Sequence, residues 1–407
     1  MFPHPSGKWA KKVRGKVYYF GRWDSSDGQT KWEAALATYD AKIADIVAGR
    51  PPRTSGDGLV LRDLVNRFLT TKKNLVDNNE LTTRSFADYH QCCARLIDAF
   101  GKHRLVSDLT VDDFEAHRRK LAETRGPVSL GNEIQRVRTV FKYAYDQGLI
   151  AAPLRYGQSF QKPSAKVLRK ERHKNGLRMF QAAELRRIIA AAGVPLKAFV
   201  LLGINAGFGN SDCATLPLAA LDLKGGWINY PRPKTGIARR CPLWPETVAV
   251  LKAAIAKRPA PKRTDAEGLV FVTKYGGSWS KTPSITVDQQ ENETVSAQPT
   301  LVVAKAVDNP LTKEFRKLLN ELGLHRPGLG FYALRHTFET IGGGSRDQVA
   351  TSAIMGHAPA ANDMSAVYRE QIIDSRLRAV TDHVRNWLLT EGRGPKEKKP
   401  RGGWRLE

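Results

Sequence analysis

In the stretch "FYALRHTFETIGGGSRDQVATSAIMGH", Phe331, Leu334, Phe338 and Ile341 recur at helical spacing and face a core, which puts Tyr332 and Arg335 together on a flank. Gly342 to Gly344 stop that helix, and Ser345 with Gln348 forms a capping-box pattern for a second one that Gly356 ends. His357 therefore emerges from a helix C-terminus. A guanidinium on a rigid helix and an imidazole just past a glycine stop are fixed donors with little freedom left to lose, as a phosphate clamp requires. Eleven residues further on, in "IMGHAPAANDMSAVYRE", stands Tyr368. A helical tyrosine is commonly a core or rim residue with its hydroxyl satisfied, so these residues alone leave open whether Tyr368 does chemistry or fills space.

The charge balance narrows the chemistry. With 65 Lys+Arg against 40 Asp+Glu, the 407-residue chain carries a formal +25, and an excess of this size draws polyanions, nucleic acid first among them. A ribosome-associated protein or an anionic-membrane binder is the other reading of charge alone. Cys92 and Cys93 are adjacent and Cys213 and Cys241 isolated, a pattern that fits neither a disulfide framework nor zinc spacing and points to a reducing, cytoplasmic setting, where a nucleic-acid partner would keep the protein nucleoid-associated. The N-terminus has no apolar signal core, and no apolar run is long enough to span a bilayer.

Three units have to position these residues. In the first, residues 1–50, "GKWAKKVRGKVYYFGRW" reads as a hairpin or small sheet turning at Gly15, and Trp32, Leu36, Tyr39, Ile43 and Ile46 mark a helix that Gly49 ends. Lys8, Lys11, Lys12, Arg14, Lys16 and Arg22 alternate with aromatics, so this ββα-type module is a candidate DNA-contacting ribbon; the strand register that decides which cations share a face is open. After the linker "RPPRTSGDG", residues 59–150 show four helical stripes, with Thr110 an N-cap and Gly148 a stop. Arg136, Arg138 and Lys142 lie off the inward stripe of the fourth helix and are candidate phosphate contacts.

Residues 151–176 are strongly basic and read as a linker able to wrap a polyanion. The third unit, 177–390, mixes helices with a small sheet: "WINYPRPKTGIARRCPLW" gives two strands about a turn at Lys234, Thr235 and Gly236. Gly276 to Gln298 reads as an insertion or mobile loop, and the basic tail 391–407 as disordered. Leu377, Val380, Val384, Trp387 and Leu388 form a stripe on a C-terminal helix that either packs at home or is donated to a neighbour. The expected class is mainly α, α+β and multidomain.

At this point "ALRHTFET", "MGH" and "AVYRE", in that order, resemble the boxes of the phage-integrase class of tyrosine recombinases. The "AGFGNSDCATL" neighbourhood and the "RPKTG" hairpin also fall in that family's order. The resemblance implies a DNA-breaking-rejoining-like catalytic domain preceded by a four-helix SAM-like core-binding domain and an arm-binding module. It further implies a site-specific recombinase or integrase, often of a mobile element, that cleaves duplex DNA through a 3′-phosphotyrosyl intermediate without cofactor, metal or small-molecule substrate. Carried over to this sequence, Tyr368 would be the nucleophile and Arg335 the clamp on the non-bridging oxygens. Lys234 would protonate the 5′ leaving oxygen, and His357 would donate to the phosphate. A DNA-dependent homo-oligomer, a tetramer if the enzyme is active, is the implied assembly.

The sequence departs from the pattern at two positions. Gly209 stands where the first box carries an arginine, and Tyr332 where the family has a histidine three residues before the box-two arginine; the segment between His357 and Tyr368 is also slightly long. Three consequences are open. Arg232, Arg239 or Arg240 beside Lys234, or Arg369 after the tyrosine, fills the missing charge; Tyr332 donates in place of the histidine; or the protein is a sequence-specific DNA-binding accessory factor that does not cut. An anionic-surface or RNA binder is the more distant alternative.

Overall fold

The computed structural model describes residues 1–23, 28–47, 58–174, 176–280, 285–288, 300–303, 309–359 and 362–390. The chain divides into two compact units, Met1–Arg172 with Thr282–Ala306, and His173–Lys281 with Val307–Glu407.

The first unit opens with an antiparallel sheet of β1 (Phe2–His4), β2 (Lys8–Val13) and β3 (Lys16–Arg22), followed by α1 (Gly28–Val47). Arg14 and Gly15 make the expected turn with φ of 50° and 83°, the double positive φ that matches the twist of a two-residue hairpin. The third strand was not foreseen: β1 has only three residues, one of them Pro3, too few for an alternation to show. Trp9 packs edge-on against Trp32, and Phe20 against Tyr39, so this face of the sheet is covered by α1.

Four helices follow: α2 (Leu61–Asp77), α3 (Thr83–Phe100), α4 (Val111–Thr124) and α5 (Pro127–Asp146). Their inward stripes meet in one core around Phe68, Phe86, Phe114 and Phe141. Thr110 caps α4 as expected, in a reciprocal box with Asp113. The basic segment after Ile150 is only in part a connector. Phe160 is fully buried in the helical core, Tyr156 stacks beside it, and α6 (Ala165–Lys174) is a regular helix with no buried residue. Two aromatics, Tyr156 and Phe160, are too few in a basic run to set a periodicity, which is why the run reads as a linker.

The second unit is built round α8 (Val194–Asn205), which is apolar on nearly every side and buried from Ala198 onward. Around it come α7 (Ala182–Ala191), α9 (Asn210–Ala214), the sheet β4 (Leu221–Asp222), β5 (Trp227–Asn229) and β6 (Arg240–Pro242), then α10 (Pro245–Ala256). The antiparallel pair β7 (Ile285–Asp288) and β8 (Thr300–Val303) groups with the first unit; β7 falls in the Gly276–Gln298 stretch expected to be a loop and β8 just beyond it, while residues 281–284 and 289–298 of that stretch, residues 50–57 of the linker and the tail 391–407 lie outside the described residues. The chain continues through α11 (Pro310–Glu321), α12 (Ala333–Gly342), α13 (Gln348–Met355), α14 (Met364–Val367) and α15 (Asp374–Leu389).

The expected cap at Ser345 moves to Asp347, whose carboxylate accepts from Ala350 N–H at 2.9 Å; Arg346 before it takes the left-handed conformation and shifts the helix start. α15 packs at home. Leu377, Val380, Val384 and Leu388 join the core, Trp387 is half-buried against it, and Arg–carboxylate pairs (Arg376 with Asp347, Arg385 with Glu246, Arg240 with Asp374) fasten the helix along its length.

Candidate phosphate-binding site

Arg335 sits in the first turn of α12, which lies close to α8 because Gly203 has no side chain: a Cβ there would come within 2.7 Å of Leu334. The guanidinium is only 2% exposed. It donates to the Gly207 carbonyl at 2.5 Å and the Met355 carbonyl at 2.7 Å, joining the loop after α8 to the end of α13. The sequence had placed Arg335 on a flank beside Tyr332. In the structure α12 begins at Ala333, so Tyr332 is its N-terminal flanking residue, 48% exposed and edge-on to His336, while Arg335 points inward. Burial, the positive charges of Arg232 and Arg239 nearby, and the opposing influence of Tyr332 and Asp212 bring Arg335 down to about 10, still cationic at neutral pH.

Gly356 closes α13 in the left-handed conformation, φ 62°, as the sequence indicated, and has a second reason to be glycine. A Cβ there would come within 2.9 Å of the Arg232 side chain and 3.4 Å of Arg239. Its carbonyl accepts from Thr235 Oγ1 at 3.1 Å and Arg232 Nη1 at 3.4 Å, which fastens the connection between β5 and β6 to the step at residues 355–357. Lys234, between those two donors, is exposed at the tip. His357 follows at once, with Nδ1 3.8 Å from a Glu339 oxygen. Burial and the Arg335 charge lower its pKa, opposed by Glu339 and aided by Arg232, so its neutral ring keeps one donor and one acceptor nitrogen.

The remaining arginines of the hairpin have fixed partners. Arg239 is buried, donates to Tyr230 O at 3.0 Å and Asp212 Oδ1 at 3.3 Å, and lies over the Phe208 ring at 4.0 Å. The other oxygen of Asp212 accepts from Gly209 N–H at 2.7 Å and caps α9. Arg240 makes a double hydrogen bond to Asp374 and stacks on Trp227 at 3.9 Å. Tyr368, just after α14, is 77% exposed, and Arg369 beside it donates to Ser365 at 3.2 Å. An open cleft of about 1130 Å³ is lined by Ile237, Arg239, Ser352, His357, Ala366 and Arg369, among others. Asp212, Thr235 and the carbonyls of Gly207, Met355 and Gly356 carry no sequence signal for the site, because their roles depend on contacts across the fold.

The candidate cations of the first unit divide likewise. Lys8 and Tyr19 are near each other on the sheet face away from α1, with His4 edge-on to Tyr19; Lys12 shares that face through its pairing with Val17. Arg14 is at the turn, and Lys16 and Arg22 are exposed. Lys11 points the other way, donating to the Tyr39 hydroxyl at 2.7 Å under α1. Arg136 pairs with Asp88, Lys142 with Asp146, and Arg138 stacks on Tyr156 at 4.7 Å.

Neither a family model nor a curated protein matches the sequence. Among solved structures, the chain is similar to a lambda integrase tetramer bound to a Holliday junction, with TM-score 0.54, 13% identity and coverage of 92% of this chain and 96% of that one. A lambda integrase dimer bound to a COC′ core site gives 0.53, 12%, 91% and 94%. A Tn1549 transposon integrase in complex with transposon right end DNA gives 0.53, 14%, 80% and 100%. The fold is therefore that of the integrases, mostly helical with small antiparallel sheets, as the resemblance to tyrosine recombinases implied.

Proposed function

We propose that the chain is a tyrosine recombinase: a DNA strand transferase that binds duplex DNA and cleaves and rejoins it through Tyr368. The observation that carries this is the step at residues 355–357, where a buried arginine, a histidine and the lysine-bearing hairpin are fastened to one short piece of backbone. Donors held this way need no reorganisation when charge develops on a phosphorane-like transition state, which is where such stabilisation is largest. In this reading Tyr368 Oη attacks the phosphorus and its proton leaves to water. The bond to the 5′ oxygen breaks, and Lys234 supplies the proton that oxygen needs. Arg335 and His357 hold the non-bridging oxygens. The phosphotyrosyl bond conserves the energy of the phosphodiester, so the 5′ hydroxyl of another strand can reverse the step. The lambda integrase was seen on DNA both as a dimer and as a tetramer, and the Tn1549 integrase in complex with transposon DNA, which supports DNA and further copies of this chain as partners.

The test is covalent trapping on a duplex selected from a random pool by the protein itself and nicked at successive positions. A denaturation-resistant protein–DNA adduct is expected with the native chain and none with Tyr368→Phe, at unchanged duplex affinity. Specific binding with no adduct from the native chain would leave a non-cutting DNA-binding factor, the reading that the glycine at 209 favours.

A further inference from the structure

Box one lacks its arginine, and four arginines were candidates to supply the charge. Three are already engaged. Arg239 is neutralised by Asp212, whose second oxygen is held by Gly209 N–H; Arg240 is held by both oxygens of Asp374; Arg369 is on the exposed tyrosine segment, bonded to Ser365. Arg232 differs from all of them. It is 9% exposed, and among the described residues no carboxylate pairs with it. Its guanidinium meets the Gly356 carbonyl, while that of Arg335 meets the carbonyl of the preceding residue, Met355. Two guanidinia thus hang from consecutive carbonyls, with His357 next along the chain.

We propose that Arg232, reaching over Gly356 from the hairpin, is the second guanidinium of the phosphate seat and, with Arg335, does what an arginine at position 209 would have done. The inference rests on the strand-transfer reading for its catalytic part. Its physical basis is independent of that reading: two like charges held on consecutive carbonyls in a poorly hydrated site repel, and Arg232 is the strongest unfavourable charge acting on Arg335. A dianion or a phosphodiester between them removes the repulsion and supplies acceptors for their remaining N–H groups. The chain tolerates the arrangement because Arg232 and Arg239 both cross Gly356, where any side chain would collide. Gly209 itself has φ −92°, extended backbone open to any residue, and an added Cβ would lie 3.3 Å from Asp212 and from Tyr332, so an arginine fits there with small adjustments.

Two measurements on the full chain test this. Single-turnover adduct formation on the nicked duplex should fall about 10²–10³-fold in Arg232→Gln, the loss typical of one preorganised donor, with duplex affinity within about threefold. Adding Gly209→Arg to that variant should recover at least about tenfold, whereas Gly209→Arg alone should gain nothing. A rate in Arg232→Gln within about threefold of native overturns the assignment, as does failure of the double variant to recover. If the native chain forms no adduct, the strand-transfer reading fails and the seat is judged by its anion alone. Inorganic phosphate, against chloride at equal ionic strength, should raise the melting temperature of the native chain and lose most of that effect in Arg232→Gln; an equal shift in both overturns the seat.

Discussion

In the helical unit Glu133 is fully buried and accepts from Arg95 at 2.7 and 2.8 Å, with Arg125 and Arg136 3.6 and 3.8 Å away. In the mixed unit Arg335 is equally deep, yet its partners are two backbone carbonyls, and the charge that acts on it most strongly, that of Arg232, has the same sign. Both arrangements satisfy hydrogen bonds. Only the first satisfies charge. A buried ion surrounded by opposite charge has no further use for a ligand, whereas a buried cation held by neutral acceptors keeps an unmet demand for an anion. The difference separates an ion cluster that fastens α3 to α5 from a buried cation still free to take an anion.

Substitution should split the two. Arg335→Gln removes the charge but keeps an amide that can reach one of the two carbonyls. Adduct formation should fall about 10³-fold or more, while urea unfolding changes by no more than about 1–2 kcal/mol. Equal activity in the two proteins would remove Arg335 from the chemistry. Glu133→Gln should do the reverse. Left facing three arginines without their carboxylate, the helical core loses about 3 kcal/mol, the low end for a broken buried pair because the arginines keep some access to water. Whatever fraction remains folded should form adduct at the native rate. A Glu133→Gln protein as stable as native would mean that the buried cluster is no fastening at all.

The same distinction explains which parts of the molecule were legible in the sequence. Stripes at helical spacing gave the four helices of the first unit and α15, since burial of one face is written locally. The glycine stop before His357 and the Arg14–Gly15 turn were legible because positive φ has a preferred residue. Ion pairing was not. Arg136 read as a phosphate contact and Arg240 as a substitute for the missing charge, and the structure pairs them with Asp88 and Asp374, which are far away along the chain. Glu133, on the inward side of α5, had no local signal that three arginines would meet it. The missing charge at Gly209 was visible at once, but its replacement required knowing that residues 232 and 356 touch.

His117 gives the smallest and most discriminating contrast. It is 5% exposed on α4, with neither ring nitrogen hydrogen-bonded, and burial drives its pKa down to about 4; Arg95, Arg125 and Lys120 push the same way and Glu133 opposes them. The unfolded chain takes up this proton near pH 6.5, the folded one only near 4, so the stabilising contribution is whole above pH 6.5 and is lost as pH falls toward 4. Each pH unit in that window costs up to about 1.4 kcal/mol, or about 2 kcal/mol between pH 6.5 and 5. His117→Leu should lose that slope in urea unfolding followed against pH; a slope identical to native would show that His117 protonates in place. The helical unit would then hold an unpaired cation as the mixed unit does, and unmet charge would no longer distinguish the candidate site from the scaffold. If the slope disappears, the helical core excludes an unpaired positive charge even beside Glu133, and the pair Arg232 and Arg335 is set apart by function.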